Sequence, residues 1–280
     1  MKTSNKLLIA FAASLILLPI LGMVYSSQVL YTDAKNWKAE ARKDDSFSQA
    51  SANMESKTLS AFQSVNIANG KGMYFNIRLI KDDKYGVKIP NNDKDLIKLE
   101  VDAQGKLQVT LNDKGNENRY VTLLIYAPDT KSISLEEADG VALNAKADSL
   151  AISLKKVNRL VFDGETAISK LSVATEDVSE VNIEKEIAKS LYLNLKNTAF
   201  TSEWASYQDL NITTAGNSTI TVKGDDRQAK GYSIQNLTLN TTETAKINLE
   251  NMTVSNCKGS LSDQTLVSMP AVNLKQLFNK

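Results

Sequence analysis

Residues 150–195 read LAISLKKVNRLVFDGETAISKLSVATEDVSEVNIEKEIAKSLYLNL, and their apolar pattern decides the fold. Apolar-x-apolar pairs fall at Leu150/Ile152, Leu160/Phe162, Leu171/Val173, Val181/Ile183 and Leu191/Leu193, so the first members advance by 10, 11, 10 and 10 residues. Ala151, Val161, Ser172, Asn182 and Tyr192 stand between them. Alternation at period two marks a strand with one dry face, which here turns Ile183 inward and Asn182 outward. The beat returns at Leu210/Ile212, Ile220/Val222, Leu237/Leu239 and Ile247/Leu249, with steps of 10, 17 and 10. A beat is missing near residue 201, and the long step spans GDDRQAKGY (224–232); these read as an irregular turn and an inserted loop.

Strands of about four residues with no helical pattern between them bury their dry face in a sandwich of hairpins or in a coil of parallel rungs. The even beat and the scarcity of Gly and Asn-Gly turns favour the coil, with about twenty residues and two or more strands per turn. The expected fold class is all-β, a right-handed parallel β-helix or β-solenoid-like domain preceded by an N-terminal transmembrane helix or signal segment.

Working outward, strand-like runs begin at Phe62 and continue as MYFNIRLI, YGVKI, LIKLEVDAQGKLQVTL and RYVTLLIYAP. Asp102–Gly105 (DAQG) is a hairpin signal, with Gly105 free to take a positive φ. Asp33 to about Ser60 is polar, mixed in charge and without alternation, which predicts a spacer. Trp37 within it has the amphipathic ring favoured at a membrane interface. The expected organisation is an anchor or signal over 1–27, a linker over 28–60, a β-helical domain over 61–258 and a tail over 259–280.

The series Phe62-x-x-Val65-x-Ile67, Tyr85-x-Val87, Gly105-Lys106-Leu107-x-Val109 and a Pro128 turn into Ser132-Ile133-Ser134-Leu135 resembles the head GIN or DUF2807 family of Bacteroidota, which carries the label of auto-transporter adhesin. The likeness continues through the LAISL and KLSV rungs to about Lys258. It implies a β-helical envelope domain with no established catalytic residues. Where the family's rungs often carry a Gly-Ala-Ser turn, this chain has Glu137-Ala138-Asp139-Gly140.

At the N-terminus, Lys2 and Lys6 precede an uncharged stretch from Leu7 to Tyr25, and the next charged residue is Asp33. Signal h-regions run about 7–15 residues and a spanning helix needs about 20, so the length favours an uncleaved anchor with its N-terminus in the cytoplasm. Cleavage after Ser26, with Val24 and Ser26 as the small residues, is the alternative.

Composition narrows the chemistry. With 33 Lys+Arg against 32 Asp+Glu, the net charge of +1 supplies no field for nucleic acid. The absence of histidine excludes Ser-His-Asp and Cys-His catalysis and removes the commonest metal ligand. Cys257, the single cysteine, reads as a packed small apolar residue.

Glu136, Glu137 and Asp139 form the densest acidic cluster beside a strand, which glycoside hydrolysis or calcium binding would need, although a solvated turn has the same composition. Asp163-Gly164-Glu165 and Gly224-Asp225-Asp226-Arg227 are acidic turn pieces of the same kind. Gly70-Lys71-Gly72 lacks the remaining residues of a phosphate loop. Asn211, Asn217, Asn236, Asn240 and Asn251 open Asn-x-Ser/Thr sequences, read here as wet-face and turn residues. Tyr192, Trp204, Tyr207 and Tyr232 would stack on sugar rings if they shared a face.

The sequence therefore predicts a non-enzymatic cell-envelope protein with an exported binding or structural domain, adhesion being one such role. Its partners would be the membrane, through the N-terminal span, and envelope or host glycans or proteins; no catalytic residue, cofactor or metal is assigned. The alternative is a β-helix enzyme that cleaves polysaccharide with carboxylates alone.

Overall fold

The structure is a computed structural model that describes residues 3–30, 46–51, 53–112, 120–225 and 231–278. The chain divides into two compact units, Met1–Asp45 and Ser46–Lys280. In the first, helix α1 (Thr3–Leu30) contains Pro19, and its stretch Thr3–Ser27 is long and apolar enough to cross a membrane by length and composition. Lys2 and Trp37 lie outside the described residues, as do residues 33–45 and 52 of the expected spacer.

In the second unit the ten-residue beat becomes two ladders of parallel strands. The first ladder takes in part of β8 (Ser132–Phe162), then β9 (Ala167–Glu176), β11 (Ala188–Lys196), β13 (Tyr207–Ala215), β15 (Tyr232–Thr241) and β17 (Met252–Ser260). Its register stacks Leu150 on Leu171, Leu191, Leu210, Leu237 and Cys257.

The second ladder takes another part of β8, then β10 (Glu180–Glu184), β12 (Ala199–Glu203), β14 (Ser218–Lys223), β16 (Ala245–Glu250) and β18 (Thr265–Ser268). It stacks Leu160 on Val181, Phe200, Ile220, Ile247 and Val267. Each turn thus takes about twenty residues and two strands, and the sheet curls into a solenoid around one continuous apolar core. Ile183 is fully buried and Asn182 partly exposed, as the alternation predicts.

Strand β12 fills the beat expected to be missing. Phe200 is buried in the apolar position and Ser202 takes the second inward place, its hydroxyl 2.7 Å from the equally buried Tyr207 hydroxyl. One polar residue on the dry face hid a regular strand, and the pairing with Tyr207 is what lets a hydroxyl sit there. The long step does hold an insertion, between Lys223 and Tyr232. Asp226 and Arg227 lie outside the described residues.

Both ladders begin with antiparallel strands. β5 (Ile97–Val101) and β6 (Lys106–Leu111) form the hairpin read from DAQG, with Gly105 at φ 70°. Asp102 holds this turn, its carboxylate accepting from the N–H groups of Gln104 and Lys106 at 3.0 and 2.9 Å and from Gln108 Nε2 at 2.6 Å. The Lys106 N–H above all, then Gln108, keeps the Asp102 carboxyl below the usual range. A depressed folded pKa contributes stability above the ordinary aspartate value of about 4, lost as pH falls through the lower folded value. Asp102→Asn should therefore flatten the acid limb of stability against pH. An unchanged acid limb in that variant would remove Asp102 from the account.

The unit extends past both expected domain boundaries. Upstream of residue 61, β1 (Met54–Thr58) pairs antiparallel with β4 (Gly86–Pro90), and Phe47 packs on Tyr126 at a ring separation of 5.3 Å. β1 exposes four of its five residues, Glu55 and Lys57 among them, so it is a charged edge strand with no alternation to read. Downstream of residue 258, β18 joins the second ladder and helix α2 (Ala271–Phe278) lies on β17, burying Leu277.

Helix α2 turns Asn273 inward, 1% exposed and with no partner for its Oδ1, while Val272 and Phe278 face out. A buried unsatisfied acceptor costs about 1–3 kcal/mol. Asn273→Leu should raise the urea midpoint by the equivalent of about 1 kcal/mol; a lower midpoint would mean that the amide is satisfied in solution.

Candidate binding groove

Each turn changes direction at two corners. At one, Glu137, Lys156, Asp177, Asn197 and Gly216 follow one another in the left-handed region with φ between 51° and 63°. At the other, Gly164, Lys185, Trp204 and Asn251 also take positive φ, between 52° and 92°. Most are the polar or glycine residues that tolerate this conformation.

The acidic candidates sit at these corners, and those that are bonded meet different neighbours. Glu137 pairs with Lys156 at 3.2 Å, and Asp139 accepts from Asn158 Nδ2 at 2.8 Å. Glu136 supplies its main-chain oxygen to the Gly70 N–H, which makes Gly70-Lys71-Gly72 a turn against this corner. Asp163 Oδ1 accepts from the Gly164 N–H, and Glu165 pairs with Lys146 at 2.8 Å. Among the described residues no group of three or more His, Cys, Asp or Glu is placed to hold a metal ion.

The aromatic candidates are separated as well. Tyr207 points into the core, where burial pushes its phenol well above the ordinary range. Tyr232 is partly buried against the core, Trp204 occupies an exposed corner, and Tyr192 lies on the outer face of the first ladder with Lys170 Nζ 4.9 Å from its ring centroid. Cys257 takes the leucine position of the last stacked rung, and burial raises its thiol pKa.

The structure brings together a set of residues that strand alternation does not pick out. Just before each leucine of the first ladder, two consecutive residues face out. The series is Ile168-Ser169-Lys170-Leu171, Ala188-Lys189-Ser190-Leu191, Tyr207-Gln208-Asp209-Leu210, Ile234-Gln235-Asn236-Leu237 and Val254-Ser255-Asn256-Cys257. A double polar step cannot occur on a flat strand with one dry face, so each marks a bend. This apolar-polar-polar-Leu repeat was the signal available in the sequence.

The bends stack into a groove. One part, of about 400 Å³, runs over Ala167–Ser169, Glu186–Lys189, Ser206–Gln208, Ser233 and Gln235. It abuts, at Ala167 and Ser169, a second part of about 420 Å³ lined by Lys81, Asp129, Lys131, Lys146 and Asp148. Both volumes lie in the range of small-molecule sites.

In the first part, register aligns Ser169, Lys189, Gln208 and Gln235 in one column, about 4.8 Å apart from rung to rung. Beside it runs a bonded column. Ser190 Oγ donates to Asp209 Oδ2 at 2.9 Å, Asn236 Nδ2 to Asp209 Oδ1 at 2.9 Å, and Asn256 Nδ2 to Asn236 Oδ1 at 3.1 Å. The Asn236 bond, then the Ser190 bond, holds the Asp209 carboxyl below its ordinary range. Ser190, Asp209 and Asn236 each follow a column residue in sequence, and Asp209, Asn236 and Asn256 border a separate depression with Asn211, Thr238 and Lys258.

A separate depression of about 530 Å³ lies on the outer face of the first ladder, lined by Ala151, Ser153, Ser172 and Ala174 with Lys106 and Tyr192.

No protein-family model and no curated protein matches the sequence. Among solved structures, the chain is similar to a candidate adhesin from Bacteroides fragilis at 18% identity and TM-score 0.35, over 74% of this chain and 96% of that one. A candidate adhesin from Parabacteroides merdae follows at 12% and 0.33, over 77% and 95%. A protein named as a candidate lipid-binding protein, from Parabacteroides distasonis, gives 11% and 0.33, over 75% and 98%. At these identities and scores the likenesses carry no argument about ligand, and the fold rests on the strand register.

Proposed function

We propose that this chain is a single-pass cell-envelope protein of the head GIN type whose β-solenoid, from Ser46 onward, holds an envelope or host ligand without transforming it. The observation that carries the reading is the corner groove, along which register sets the outward side chains of Ser169, Lys189, Gln208 and Gln235 in one column. Three of the carboxylates that a histidine-free hydrolase would need, Glu137, Asp139 and Glu165, are engaged one by one with Lys156, Asn158 and Lys146. Helix α1 serves as the anchor, because its uncharged stretch from Leu7 to Tyr25 reaches a bilayer thickness and Lys2 and Lys6 precede that stretch. The solenoid then lies in the periplasm or beyond the cell.

Intact mass of the native protein tests the anchor: it should retain the span, and a mature N-terminus at Ser27 would make the protein secreted. Retention of polymers from a cell-envelope extract tests the ligand role. The full chain should retain a component that Gln208→Ala/Gln235→Ala does not; equal retention by both would remove the groove from the function.

A further inference from the structure

Resting on that reading, we infer that the corner groove takes an uncharged, unbranched glycan strand lying along the stack, across successive rungs. The main chain beneath the groove is already paired on both sides. Strand β11 bonds to β9 and β13, and β13 bonds to β15, so a peptide cannot add there as a further strand. Recognition must come from side chains.

Besides Glu186 and Lys189, the polar side chains offered are hydroxyls and amides. Gln208 and Gln235 each present a donor and an acceptor, which suits the adjacent hydroxyls of a sugar ring, and Ser169, Ser206 and Ser233 add further hydroxyls. The floor at Ala167, Ile168 and Ala188 is apolar, which suits the C–H face of the same ring. The rung spacing of about 4.8 Å is close to the length of one sugar residue, so a regular polymer meets a polar side chain at each step.

Charge selects against ionic polymers. Lys81, Lys131, Lys146 and Lys189 line the groove with Asp129, Asp148 and Glu186, and Glu165 pairs with Lys146. Four cations stand against four anions, and Lys131 is bonded to Asp129 within the groove. A polyanion would gain no counterion release there, and a polycation no net attraction.

The test is an array of linear hexasaccharides, neutral hexoses and N-acetylhexosamines beside uronic-acid and sulfated chains, probed with the full chain in detergent. We expect retention of a neutral member, little changed by raising salt, and at least tenfold weaker for Gln208→Ala/Gln235→Ala. Both glutamines are exposed, so the variant should melt with the wild type. Ser153→Gln, on the separate depression of the first ladder, should bind as the wild type does.

Retention of acidic chains alone, with a steep loss in salt, would overturn the neutral-glycan assignment. Retention that ignores the glutamines would overturn its place in the groove. If no glycan is retained while the groove glutamines still decide retention of a protein or lipid from envelope extract, the glycan inference fails and the binding function stands. If the glutamines decide nothing in either assay, both fail.

Discussion

Ile183→Asp should destabilise the solenoid by about 4 kcal/mol, because it buries a carboxylate in a dry interior with no cation to meet it. Ile183 is fully buried on β10, between rungs that place Phe162 and Ser202 at neighbouring positions. The Ser202 hydroxyl is already engaged with Tyr207 and has little to offer a new charge. The adjacent Asn182 supplies the control. Its amide hydrogen-bonds Glu180 and is the first cause of that carboxyl's lowered pKa, so an aspartate there would set two carboxylates together. Asn182→Ser avoids that and should stay within about 0.5 kcal/mol of the parent. Urea unfolding of both variants measures the difference; equal midpoints would mean that the rung register is wrong.

The second large effect is expected at Lys88. Its ammonium is fully buried and donates to Ser46 O at 2.9 Å, Gln49 O at 2.8 Å and Ser51 Oγ at 3.0 Å, and it lies 5.1 Å from the Tyr126 ring centroid. Phe47 adds its ring to the same Tyr126, and its N–H donates to Asp82 Oδ2 at 2.9 Å. The segment 46–51 is therefore folded around one lysine. Lys88→Ala leaves its carbonyl partners without a donor and should cost about 3 kcal/mol. The loss should appear first as faster hydrogen exchange over 53–58, where β1 pairs with β4 beside Lys88. Exchange at the wild-type rate in that segment would show that β1 holds without the clip.

These two sites differ in how far the sequence reveals them. The register around Ile183 was legible because period-two alternation and a ten-residue beat are properties of local sequence, and parallel stacking repeats them rung after rung. Strand β12 was hidden by a single inward serine whose partner, Tyr207, lies in the next strand along the chain. β1 and the Lys88 clip were not legible at all. An edge strand needs no apolar alternation, and a lysine bonded to main-chain oxygens leaves no pattern in the residues that supply them.

The groove lies between these extremes. Its polar pairs are present in the sequence before each leucine, yet they read as noise on a strand until the bend explains them. The acidic cluster illustrates the reverse error of proximity. Glu136, Glu137 and Asp139 are neighbours in sequence, but Glu137 and Asp139 turn to separate partners, Lys156 and Asn158, and Glu136 bonds Gly70 through its main chain.

The central claim is that the solenoid holds its ligand and performs no chemistry on it. The direct test is to incubate the purified full chain with envelope and host polysaccharides and to follow new reducing ends and unsaturated products. No product should form, even from polymers that the protein retains. Reproducible product that disappears when Glu136→Gln, Glu137→Gln and Asp139→Asn are combined would contradict the claim and make the chain a carboxylate-dependent polysaccharide-cleaving enzyme.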